Sequence, residues 1–82
     1  MHELGKQWLA LMKDVDFQRE TYGPGTDREA SSQRQADAIG PEANPARVQY
    51  YEEKAEKVRN DRGPGTDSED AYLKLATKYR TA

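Results

Sequence analysis

The stretch Gly23-Pro24-Gly25-Thr26-Asp27-Arg28-Glu29 returns, forty positions further along, as Gly63-Pro64-Gly65-Thr66-Asp67-Ser68-Glu69. Each residue of it has a place in a corner between two helices. Gly23 and Gly63 stand where a helix C-terminus takes a left-handed αL cap, and the proline behind each cannot continue a helix. Thr26 with Glu29, and Thr66 with Glu69, then spell the Ser/Thr-x-x-Glu capping box that opens a new helix. A stop signal followed by a start signal, used twice, predicts an all-α chain. Its four short helices form two tandem helix-loop-helix hairpins with a 40-residue repeat, as a small helical bundle. The first copy spans residues 1–40 and the second 41–82 of a single small helical domain.

Outward from the first corner, Leu4, Trp8, Leu11 and Val15 keep helical spacing over residues 3–22, with Leu9, Met12 and Phe17 widening the apolar side to about half the helix surface. The second helix, residues 27–39, offers a core only Ala30, Ala36, Ala38 and Ile39, which makes it the least protected of the four. Gly40-Pro41 ends it, Asn44 is placed to cap the third helix with Pro45 at its first position, and Val48, Tyr51, Ala55 and Val58 carry that helix to Arg62. The fourth helix puts Ala71, Tyr72, Leu75, Ala76 and Tyr79 on one side and ends in Lys78 and Arg80, which suit the negative end of a helix dipole.

The composition leaves little material for a core. Among 82 residues there are five Leu, three Val, one Ile and one Phe, and the mean hydropathy is -1.18. Chains of this kind complete their core by self-association or on a partner, and Trp8 with five tyrosines supplies side chains that favour such interfaces. The absence of cysteine removes disulfides and thiolate chemistry and fits a reducing compartment, so the cytoplasm is expected. The longest apolar run, Trp8 to Met12, is too short for a signal peptide or a membrane span. The net charge is -2. Residues 1–40 hold five basic against seven acidic side chains, so although Arg28, Ser31, Ser32, Gln33, Arg34 and Gln35 are types that read nucleic acid, the basic surface such binding needs is missing.

His2, the only histidine, stands at the chain end and is not expected to be catalytic. The run Glu52 to Lys57 alternates charge at helical spacing, the pattern of exposed salt bridges. No enzyme and no cofactor are expected. The protein-interaction residues are Trp8, Leu9 and Met12 on the wide apolar face of the first helix, and Tyr50 on the third, displaced around it from the core stripe of Tyr51, for a homo-oligomer or a protein partner. A phosphorylated or nucleotide-like anionic ligand is the alternative. It would be held by the loops through Gly23, Gly25, Thr26, Gly63, Gly65 and Thr66, with Arg19, Tyr22, Arg59 and Arg62 from the helix ends.

The same Gly-x-Gly-Thr-Asp between two helices resembles the first interhelical loop of an annexin repeat. That resemblance implies calcium held by the carbonyls near Tyr22, Gly23 and Gly25, with Asp61 or Asp67 as the distant carboxylate. It covers about six residues in each copy, whereas an annexin repeat is a five-helix unit, longer and more apolar than this one. Helix capping accounts for every residue of the loop, so a structural role is expected and no metal site is assigned.

Overall fold

In a computed structural model, which describes residues 2–82, the chain is all-α: α1 (Glu3–Tyr22), α2 (Asp27–Asp37), α3 (Asn44–Arg62) and α4 (Asp67–Thr81). The chain divides into two compact units between Ala43 and Asn44. One holds the α1–α2 hairpin and the other the α3–α4 hairpin. Among the described residues no helix is long and apolar enough to cross a membrane.

In the first unit α1 packs on α2 and on the short 3₁₀ turn Pro41–Ala43. His2 begins α1 by accepting the Leu4 N–H on its Nδ1 at 3.1 Å. Trp8, Met12 and Val15 are buried on α1, Ala36 on α2 and Ala43 in the turn. This corrects the expectation for the wide apolar face. Trp8 is only 3% exposed and Met12 5%, and Leu9 is half-buried, so two of the residues assigned to interaction lie in the interior. Ala30 on α2 and Ala38 just past its end are exposed, while Glu29 and Ser32 turn inward. Polar partners, described below, make those two positions tolerable inside.

The helix ends differ in detail from expectation. The helix α2 stops at Asp37, and the last amides tighten into a closer turn in which Ile39 N–H donates to the Ala36 carbonyl. Pro41 opens the 3₁₀ turn, whose Ala43 N–H reaches the Gly40 carbonyl at 3.2 Å. Because α3 is already helical at Asn44, that side chain is not an N-cap. Its Oδ1 instead accepts from Arg47 Nη1 at 2.9 Å.

In the second unit Ala46, Ala55 and Ala76 are buried, and small side chains let helices approach closely. Val48, Val58, Tyr72 and Leu75 are half-buried, and Ala71 is exposed. The α3–α4 seam is finished by aromatic rings: Tyr51 stacks on Tyr72 at 6.3 Å and on Tyr79 at 5.9 Å between centroids. Tyr50, the fourth residue assigned to interaction, is half-buried and meets Tyr51 edge to face at 5.1 Å.

Candidate functional site

The two corners share their construction. Gly23 has φ 81° and ψ 168° and Gly25 has φ 94°; Gly63 and Gly65 have φ 85° and 82°. The dihedrals of Gly23 are not those of an αL cap. They fall in a region that essentially only glycine enters, because a side chain there collides with its own backbone. A Cβ built on any of the four would find no atom within 4 Å. The glycines are therefore needed for backbone conformation rather than for the close approach of another group.

Behind each glycine pair the helix start is latched to the end of the preceding helix. Thr26 Oγ1 accepts the Glu29 N–H at 3.1 Å, and Thr66 Oγ1 accepts that of Glu69 at 3.2 Å. The glutamate does not return to the N-cap amide as in the ordinary capping box. Glu29 Oε2 accepts the Gly25 N–H at 3.1 Å, and Glu69 Oε1 the Gly65 N–H at 2.9 Å. The other carboxylate oxygen faces the arginine one turn before the corner: Arg19 Nε to Glu29 Oε1 at 2.7 Å, and Arg59 Nε to Glu69 Oε2 at 3.8 Å. The Arg19 guanidinium and the Gly25 amide hold the Glu29 carboxyl below its usual value, against the opposing effect of desolvation.

The site residues of the anionic-ligand alternative are thus brought together in part. Arg19, Gly25 and Thr26 converge on Glu29, and Arg59, Gly65 and Thr66 on Glu69. Tyr22 and Arg62 end their helices exposed. A phosphate at either corner would have to displace a carboxylate from the helix N-terminus, where it also complements the dipole. For calcium, no group of three or more His, Asp or Glu side chains is gathered among the described residues.

A second polar cluster lies in the α1–α2 groove and is invisible in the local sequence pattern. Asp14 Oδ2 accepts from Ser32 Oγ at 2.6 Å and from Arg28 Nε at 3.4 Å, and Arg28 Nη2 stands 3.3 Å from Oδ1. The Ser32 hydroxyl and Arg28 lower the Asp14 pKa, with burial acting in the other direction. Ala10, Leu11, Ser31 and Gln35 complete the lining of this groove of about 440 Å³. Forty positions on from Ala10, Leu11 and Ser32 stand Tyr50, Tyr51 and Tyr72. Rings thus stand in the second hairpin at positions where the first has Ala10, Leu11 and Ser32. The Ser32 hydroxyl donates to a carboxylate that also accepts from Arg28, so the arrangement fastens α2 to α1.

Comparison with protein-family models, with curated proteins and with solved structures returned no match for this chain.

Proposed function

We propose that this chain is a non-enzymatic α-helical interaction module that associates with itself and, in that assembly, binds or inhibits a protein partner in the cytoplasm. The observation that carries this reading is the exposure of large apolar side chains: Phe17 at 55%, Tyr22 at 66% and Leu73 at 45%. The groups with chemistry to offer, Glu29, Glu69 and Asp14, are engaged in holding hairpins. Aromatic side chains are the residue type enriched where proteins meet, and Phe17 and Tyr22 leave two of them in solvent.

The test is the molar mass of the purified chain in solution, together with the mass of whatever co-purifies with it from cells. A concentration-dependent multimer or a stoichiometric protein partner is expected. A chain that stays monomeric and retains only a small anionic molecule would move the assignment to the corner loops.

A further inference from the structure

We propose that the outer face of α1 is the self-association surface, on which two copies of this chain pair antiparallel with Phe17 of each seated over Ala10 of the other. This rests on the self-association proposed above and names its face. Lys6, Ala10, Lys13, Phe17 and Glu20 follow one another at spacings of four, three, four and three. At about 100° per residue they share a stripe about 80° wide. That stripe lies on the side of the helix away from buried Trp8, Met12 and Val15. All five residues are exposed. Steps of four and three keep these side chains on one face, with Phe17 and Ala10 as its apolar pair and Lys6, Lys13 and Glu20 as its charges.

Charge complementarity selects a second copy and sets its direction. Lys6, Lys13 and Glu20 make no ion pair among the described residues. Around a two-fold axis an antiparallel register that sets Phe17 against Ala10 brings Glu20 beside Gln7 and Lys6, each contact occurring twice, and puts the two Lys13 side chains near the axis, each with Asp14 of the other copy beside it. A parallel pair would instead set Lys6 on Lys6 and Glu20 on Glu20, with Lys13 again on Lys13 and no compensating opposite charge on the stripe. The seat for the ring is also present, since Ala10, Leu11 and Asp14 edge the 440 Å³ groove. In the second hairpin the position forty residues on from Ala10 is Tyr50, whose ring packs edge to face on Tyr51. A single helix face makes a small interface, so the association belongs to high protein concentration.

Sedimentation equilibrium of the full chain over roughly a hundredfold range of concentration reads this directly. The expected mass rises from 9.3 kDa towards twice that value and no further, because a two-fold contact closes. Phe17→Ser should weaken dimerisation about tenfold or more while helical circular dichroism is unchanged. Lys6→Glu should weaken it too, although a glutamate in the first turn favours the helix itself. Adding Glu20→Lys to Lys6→Glu should restore the dimer. A wild-type chain that remains monomeric overturns both this surface and the self-association behind it. A dimer indifferent to Phe17→Ser and Lys6→Glu overturns this surface alone, leaving self-association through another face. Loss in Phe17→Ser without rescue by the charge swap overturns the antiparallel register, and masses beyond the dimer overturn the closed two-fold.

Discussion

Replacing Gly23 by alanine isolates the conformational cost of the first corner. No atom lies within 4 Å of the added Cβ, so collision with neighbours contributes nothing. The amide is kept, and with it the 3.1 Å bond from Gly23 N–H to the Arg19 carbonyl. What remains is a non-glycine residue at φ 81° and ψ 168°, a conformation that costs about 1–3 kcal/mol. Alanine also restricts the unfolded chain, which offsets about 0.4–1 kcal/mol. A net loss of about 1–2 kcal/mol is expected, or roughly 5–15 °C in Tm for a domain of this size. Urea titration followed by circular dichroism measures it. Gly63→Ala should lose a similar amount, since its φ is 85° and its surroundings are equally empty. The double variant should be additive to within about 0.5 kcal/mol. D-alanine at position 23, which takes positive φ as readily as L-alanine takes negative φ, should recover most of the loss. An unchanged midpoint in Gly23→Ala would refute the reasoning, as would a D-alanine variant no better than the L form.

Thr26→Ala and Thr66→Ala each remove the acceptor of a helix-start amide, and each should lower stability by about 0.5–2 kcal/mol in the same titration. Acid should loosen the first unit. The folded Asp14 and Glu29 carboxyls lie below their ordinary values, so their contribution is complete above the unfolded pKa and disappears as the pH falls through the folded one. The urea midpoint should therefore hold steady above about pH 5 and drop below about pH 4, and Asp14→Asn with Glu29→Gln should flatten that drop. Hydrogen exchange should be faster in α2 than in α1, because Ala36 is the only buried apolar residue of α2; protection equal to that of α1 in a demonstrated monomer would contradict this.

The corners were legible in the sequence because their chemistry is local: Gly, Pro, Thr and Glu act within a few residues of one another. The conformation of Gly23 was not, since several backbone states end a helix and all of them suit glycine. Arg19 and Glu29 could each be noted, one as a helix-end cation and the other as a capping acid. Their 2.7 Å pairing across the corner depends on the angle between the helices, which no spacing specifies. Asp14 and Ser32 are further apart still, eighteen positions along the chain, and only the packed hairpin joins them. The burial of Trp8 and Met12 was misjudged for a related reason. Counting large apolar residues understates what Ala36 and Ala43 accomplish in the same unit by letting backbones come close.

The arginine-glutamate latch has a kinetic consequence. Arg19 and Glu29 are ten positions apart, and a segment of that length closes in about 10–100 ns. The corner can therefore form early, before the slower packing of Trp8 and Val15, and its ordering entropy is spent on a short loop rather than on distant contacts. If folding starts at these bends, Arg19→Gln and Arg59→Gln should slow refolding more than they speed unfolding, which stopped-flow circular dichroism reads.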